Sequence, residues 1–595
     1  MTAHRVPPHA LHPSRRPVPS RLAALAAATL LAAAPAAAQD EEAPVAGPFG
    51  ERVEVGVVNV DVVVTDGKGQ KVSGLGRDDF VLRVDGEPVP IDHFYAETAG
   101  RVREVPRPIE TRTETAFTPI ETVTPPEQRT HVLVLVDHTR LSATNRKRAF
   151  QALREALTHF DDDDLISVVG LEGSLVVYSD FLYDHATVAK VLDEVQRVGV
   201  RPRPLEEERR QIFGELARGM SGGIMARTSA ASREAESVLP RIRAYAAQEF
   251  DRSRESLRLI ETVAATLSGL PGRKVLLYVG EGIPTRPGEG LYVEFRNRFG
   301  SASDVGIGLR HYDFNSDYNR AIGNYDLTTA VDRAALAVNR AGVTLYAIDA
   351  EDAHGGAIRS ALVEQGATSE TVSVIDANFR EPLEAATQAT GGRLLRMSGL
   401  LADQLVDLVS DFDTFYSLGF DLPDGWRPGS VHRIDVDLAD GRRGWRVRHR
   451  TEVRLPEEGE REAGATVAAL MYRSIDNPLD VRARPGELQP GPDGTSVLPV
   501  ELAIPVESLT LLPRGDVHAA SVTIFVSVQD EAGNPGRVQK VPFHLDIPAD
   551  KLDEARGQPA HYVLPVVVRP GDRQAAIVVR DDPSGTLSAI QLDLD

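Results

Sequence analysis

Cysteine is missing from all 595 residues of the chain. Its absence excludes disulfides, thiolate zinc sites, a cysteine nucleophile and a lipid-bearing N-terminal cysteine. Basic residues are also scarce: 66 Lys and Arg stand against 87 Asp and Glu, a formal charge of −21. That balance argues against a nucleic-acid or anionic-membrane surface, because attraction to phosphates needs a basic footprint. The sequence has no HExxH, no G-x-S-x-G elbow, no GxxxxGK[ST] loop and no GxGxxG after a strand, so no familiar catalytic or nucleotide-binding signature recommends an enzyme. What is present is ordinary for a globular protein, 42% hydrophobic and 26% charged, at a length that suggests three or four domains.

The N-terminus reads as an export signal. Arg5, Arg15, Arg16 and Arg21 form a positive region, Leu22–Ala34 is an apolar Ala/Leu run, and Ala36-Ala37-Ala38 supplies small residues for cleavage. The run falls short of the ~20 residues of a membrane span, and no later stretch is apolar enough to cross a bilayer. The expectation is a secreted or periplasmic protein cut after Ala38. Residues 1–38 carry four Arg and no acid, so the mature chain has 87 acids against 62 bases, a charge of −25.

Residues 53–64 alternate and are rich in Val, which predicts a strand. Phe80–Val84 and Val89–Phe94 follow as strands about the Asp85-Gly86 turn, and residues 100–128, rich in Pro, Thr and Glu, read as an extended linker. From Thr130 the pattern changes. His131–Val136, Leu165–Gly170, Lys274–Val279 and Val343–Ile348 are unbroken apolar runs, the mark of strands buried on both faces. Helical periodicity separates them, at Asn145–Phe160, Ala186–Val198, Ser232–Leu267 and Leu327–Arg340. The alternation predicts an α/β domain over residues 129–414 with a doubly wound, mostly parallel sheet. Strands resume at 415–456, expected to pair with residues 51–100. A charged linker is expected at 456–464, and a β-sandwich at 465–595.

Four segments together resemble a von Willebrand factor A-type domain of the bacterial secreted kind: HVLVLVDHTRLSATNRKR (131–148), DLISVVGLEGSLVVYSDF (164–181), LSGLPGRKVLLYVGEGIP (267–284) and VTLYAIDAED (343–352). The β segments at 59–91 and from 415 resemble those that flank such domains. The resemblance implies a protein- or surface-binding domain with a metal-ion-dependent adhesion site at the carboxyl ends of the strands. In that site a D-x-S-x-S loop, a Thr and an Asp hold Mg²⁺ or another divalent cation. Asp137 matches the first Asp, Thr139 offers a hydroxyl in place of the first Ser, and Glu281 stands where the last Asp is expected. Leu141 replaces the second Ser, with Ser142 beside it, and RVGVRPRPLEEERR (197–210) occupies the stretch where the Thr belongs. Two readings stay open: a metal site built on Asp137, Thr139 and Glu281, or a loop capped by Asp137 in a domain that binds without metal.

Three excursions leave the sheet, at 200–256, 283–320 and 351–380. The first carries Glu206-Glu207-Glu208-Arg209-Arg210 and reads as an exposed arm. The second holds Tyr292, Phe295, Tyr312 and Phe314 in a chain only 6% aromatic, which predicts either a partner surface or packing of the loop onto its own domain. The four acids Asp161–Asp164 lack calcium-loop spacing and read as a solvated helix end. The expected function is non-enzymatic binding of a protein or cell-surface ligand through the loops at the strand ends. An envelope assembly scaffold and a hydrolase hidden in the insertions are the alternatives.

Overall fold

The computed structural model describes residues 57–98, 101–104, 130–162, 164–197, 204–217, 224–270, 272–304, 314–350, 368–396, 400–423, 425–439, 444–472, 476–531 and 533–594. The leader, most of the linker, Tyr312 and residues 351–367 lie outside them.

Strands β1 (Val57–Thr65), β2 (Phe80–Val84), β3 (Glu87–Val89), β4 (His93–Thr98) and β5 (Arg101–Glu104) begin the chain. The single strand expected at Val89–Phe94 is divided between β3 and β4, with Pro90, which has no N–H to give a ladder, between them. β5 extends sheet structure into the first residues expected as linker and pairs with β4.

The central sheet is built from β6 (Thr130–Asp137), β7 (Leu165–Leu171), β8 (Leu175–Leu182), β9 (Arg273–Gly280), β10 (Val343–Asp349) and β11 (Leu394–Arg396), in the order β11-β10-β9-β6-β7-β8. Every neighbouring pair is parallel except β7–β8, which is antiparallel, so the sheet is mixed. Side chains alternate between its faces with the strand period of two. Val132, Val134 and Val136 pack with helices α1 (Ala143–Leu157) and α2 (His185–Arg197) on one face. Leu133 and Leu135 pack on the other face with α4 (Ile224–Ser268), which follows α3 (Pro204–Ala217). The fold is mixed α/β with helices against both faces of this sheet.

The described parts of the excursions pack against one another. Helices α3 and α4 meet α5 (Glu289–Asp304), with α6 (Phe314–Asn324) and α7 (Thr328–Arg340) after it. Ile212, Phe213, Ile242, Tyr245, Tyr292, Phe295 and Phe299 form a shared apolar core. The described part of the expected arm at 200–256 is therefore a packed helical layer: its apolar residues are numerous enough to make a core, and of the charges at 206–210 Glu207 and Arg210 are exposed whereas Arg209 is buried. Helix α8 (Ser369–Ala389) contributes Ile375 to the same core, and α9 (Leu401–Asp413) returns to the first face of the sheet.

After α9, β12 (Thr414–Asp421) pairs antiparallel with both β1 and β4. Strand β13 (Val431–Leu438) pairs with β2 and with β15 (Glu452–Arg454), and β14 (Arg446–His449) pairs with β1. The two sheets enclose Val60, Val62, Phe80, Leu82, Tyr416, Phe420 and Ile434. Asp411, fully buried at the end of α9, ties this β module to the α/β domain through Lys71 and through Arg448, whose Nη2 lies 2.7 Å away. A hydrogen-bonded charge pair is costly to break once buried.

The charged linker expected at 456–464 is replaced in part by a helix, α10 (Glu460–Met471). Glu460 and Glu462 occupy its first turn, where acids favour the helix dipole, and the Ala-rich remainder is buried on both sides. Ala468 and Tyr472 join the core under the central sheet, whereas Ala465 and Leu470 meet Phe525, Ala576 and Val578 of the C-terminal strands. Those strands form two sheets. One is centred on β16 (Ser496–Pro505) and β18 (Pro559–Val568), the other on β17 (Val517–Asp530) and β19 (Asp572–Asp581), with Val500, Leu502, Val522, Ile524 and Ile577 between them.

Candidate functional site

Strand order marks where a crevice is expected before any side chain is considered. β6 has β7 on one side and β9 on the other, and these two continue the sheet in opposite directions. In open sheets with parallel strands such a reversal point, at the carboxyl ends, is where ligands sit. Asp137 ends β6 and Glu281 immediately follows β9, so the structure brings both sequence candidates to this point.

Asp137 is fully buried and its oxygens are already engaged. Oδ1 accepts hydrogen bonds from the Thr139 backbone N–H at 3.0 Å and the Thr139 hydroxyl at 2.6 Å. Oδ2 accepts one from the Tyr278 hydroxyl at 2.9 Å. Tyr278 reaches it because Gly280 lies two residues on along β9: a Cβ there would stand 2.5 Å from the phenol oxygen. Burial raises the Tyr278 pKa well above its ordinary value, and the neighbouring carboxylate of Asp137 adds to the rise, so the phenol remains a donor.

The next residues close the loop. Arg140, only 2% exposed, sets Nε 3.7 Å from Asp137 Oδ2. Its Nη1 donates to Glu249 Oε1 at 2.7 Å and its Nη2 to Ser253 Oγ at 2.8 Å, both on α4. Burial by itself lowers the guanidinium pKa, but Glu249 and Asp137 more than offset this and hold it above its ordinary value. Leu141 is buried in the core that α1 and α2 make with the sheet. Ser142 caps α1, its Oγ accepting from Asn145 N–H at 3.4 Å. Glu281 Oε1 accepts from the Ser142 backbone N–H at 2.7 Å and from Asn145 Nδ2 at 2.9 Å, a carboxylate held at a helix N-terminus as the dipole favours.

The residues expected to take Mg²⁺ do not fit it. A hard dication needs several oxygens with lone pairs to give. Here three hydrogen bonds engage the Asp137 carboxylate, Glu281 is bound to α1, and a guanidinium lies beside Asp137. Among the described residues no group of three or more His, Asp or Glu side chains is placed to hold a metal ion. The loop-capping role of Asp137 is what the geometry displays.

The aromatic candidates are placed differently. Tyr292 and Phe295 are each 4% exposed in the core of the helical layer, which corrects the expectation of a partner surface at these two positions: the segment is helical, and their spacing points both inward. Phe314 begins α6, and Tyr312 lies outside the described residues. Asp164, of the four-acid run, accepts from the Asp161 N–H at 3.2 Å and closes the turn before β7. Sequence reasoning missed Arg140, Tyr278, Asn145, Glu249 and Ser253. Only Arg140 carried a local signal, a cation three residues after Asp137.

No protein-family model matches the sequence, and no curated protein matches it. Among solved structures, the chain is similar to a von Willebrand factor type A protein from Catenulispora acidiphila. That match has 9% identity and a TM-score of 0.23, over 66% of this chain and 79% of that one. It is also similar to a point mutant of the PilB minor pilin from Streptococcus sanguinis, with 10% identity and a TM-score of 0.23, over 60% of this chain and 88% of that one. At such scores the strand order, and not either likeness, is the ground for a functional reading. No helix among the described residues is long and apolar enough to cross a membrane.

Proposed function

We propose that the chain is an exported, non-enzymatic binding protein. In this reading the central sheet is the doubly wound sheet of an A-type domain with a degenerate adhesion site, and the loops at its carboxyl ends recognise a protein or cell-surface ligand in the periplasm or outside the cell. The observation that carries the reading is the reversal point between β6 and β9, where the Thr139–Ser142 loop and Glu281 are locked to each other and to α1. A rim fixed in this way binds without first being ordered, which spares the entropy of arranging it.

Thr144 stands exposed on the first turn of α1, beside this rim. Thr144→Arg is therefore expected to abolish capture of the partner from native envelope by crosslinking, with the melting temperature unchanged. Undiminished capture by a folded Thr144→Arg protein would remove the crevice from the reading.

A hydrolase is the second reading, and one observation outside the insertions favours it. Ser430 Oγ lies 2.8 Å from His432 Nε2, and His432 Nδ1 lies 2.8 Å from Asp85 Oδ2. Trp426 stacks flat on the imidazole, ring centroids 3.4 Å apart. Hydroxyl, imidazole and carboxylate in this sequence make a nucleophile, base and orienting acid. The His432 hydrogen bond holds the Asp85 carboxyl below its usual range. This reading expects a fluorophosphonate to label Ser430 and the label to vanish in His432→Ala; an unlabelled wild-type protein dismisses it.

A further inference from the structure

We propose that Arg140 is a tethered cation standing where a divalent ion would otherwise be needed, and that the crevice between β6 and β9 is built to work without metal. The inference concerns the crevice's charge balance and holds whether or not a partner binds there.

The crevice floor brings together carboxylates from three parts of the chain. Asp137 comes from the end of β6, Glu249 from α4 and Glu206 from α3, and Asp137 and Glu249 are fully buried. Two buried carboxylates this close need a positive charge between them, because isolated buried anions are very costly. The charge supplied is the Arg140 guanidinium, 3.7 Å from Asp137 and 2.7 Å from Glu249. Arg252 continues the alternation: it contacts Glu249 and reaches Glu206 at 3.4 Å and the Thr139 carbonyl at 3.3 Å, and Arg209 pairs with Glu206 at 2.8 Å. Cations and anions thus alternate from the strand end into the helical layer, with every charge supplied by the chain.

The same arrangement excludes a second cation. The three donors on Asp137 take three of the roughly four acceptor positions of its carboxylate, and a dication beside Asp137 would face the guanidinium of Arg140. Leu141, which would have to supply an oxygen, is turned into the core. Arg140 also gives the insertion a purpose. Its two outer donors end on Glu249 and Ser253, so α4 completes a coordination that sheet and loops leave open.

The test uses the mature chain and metal alone, so its result is separable from any failure to find a partner. Mg²⁺ and Mn²⁺ at millimolar concentration are expected to leave the wild-type melting temperature unchanged, and equilibrium dialysis against Mn²⁺ to retain none. The double variant Arg140→Ala/Leu141→Ser removes the guanidinium and adds a hydroxyl, leaving Asp137 and Glu249 without a cation between them. It is expected to melt lower and to regain about 5 °C when Mn²⁺ is added. Stoichiometric Mn²⁺ on the wild-type protein overturns the proposal, and so does a folded double variant indifferent to metal. Should that variant not fold, Arg140→Lys keeps the charge, and wild-type-like indifference to metal is expected of it; metal-dependent stabilisation of the lysine variant counts against the proposal.

Discussion

Arg140→Met is expected to destabilise the α/β domain by about 3–5 kcal/mol, the usual consequence of removing one partner from a buried ion pair. The size reflects the groups left behind. Glu249 is fully buried and loses its 2.7 Å donor, Ser253 loses its own, and Asp137 loses the cation beside it. Methionine fills much of the arginine stem's volume, so the loss is electrostatic and not a cavity. The companion variant Glu249→Leu takes the 2.7 Å partner from Arg140 and the contact from Arg252, and is expected to be nearly as damaging. Arg140→Met/Glu249→Leu together should cost much less than the two singles added, since replacing both members by apolar groups is often neutral. Urea midpoints for the four proteins give the coupling directly. A single-variant loss below ~1 kcal/mol would mean that this network is not what holds the crevice floor.

Gly269→Ala is the second large effect. Gly269 ends α4 where α10 crosses it, and an added Cβ would lie 2.1 Å from the backbone nitrogen of Ala465 and 2.3 Å from the carbonyl carbon of Gly464. Backbone cannot turn aside as a side chain does, so the helices must separate, at a cost at or above the ~3 kcal/mol upper range for overpacking. The separation would be felt on both sides of α10, whose Ala468 lies under the central sheet and whose Ala465 meets the C-terminal strands. A lower denaturation midpoint with faster tryptic loss of the C-terminal sheets is the expected observation. Gly557→Ala is the control, because its added Cβ meets nothing nearer than 3.8 Å; equal behaviour of the two variants would refute the tight crossing.

Much of the central sheet was legible because apolar runs such as HVLVLV and KVLLYV are short and rich in Val, which favours buried strands over buried helices. The positions of Asp137 and Glu281 were legible for the same reason, as polar residues at the ends of those runs. Their partners were not. Tyr278 meets Asp137 across 141 positions and Glu249 meets Arg140 across 109, distances over which only packing, and no local pattern, decides who meets whom. The aromatic excursion was legible in principle. Leu291, Tyr292, Phe295 and Phe299 follow helical spacing and are all buried, a period that the loop reading of 283–320 passed over. Helix α10 was hidden by its own charged first turn, which reads as linker when taken without the ATVAAL after it.

The pairing of β1 with β12 also sets an order of assembly. Tyr416 donates its hydroxyl proton to the Val72 carbonyl and accepts from the Leu75 N–H, 341 positions away. Closing a flexible loop of that length costs about 5 kcal/mol in chain entropy, beyond a constant. Once the intervening α/β domain is folded, the length to be searched shrinks to residues 105–129, because β12 follows α9 directly. The N-terminal β-strand must therefore wait as an unsatisfied edge, open to pairing with other chains, until the domain behind it is complete. The slow step in refolding should accordingly be the late capture of the first strand, and a detached peptide of residues 414–455 supplied in trans should compete for it.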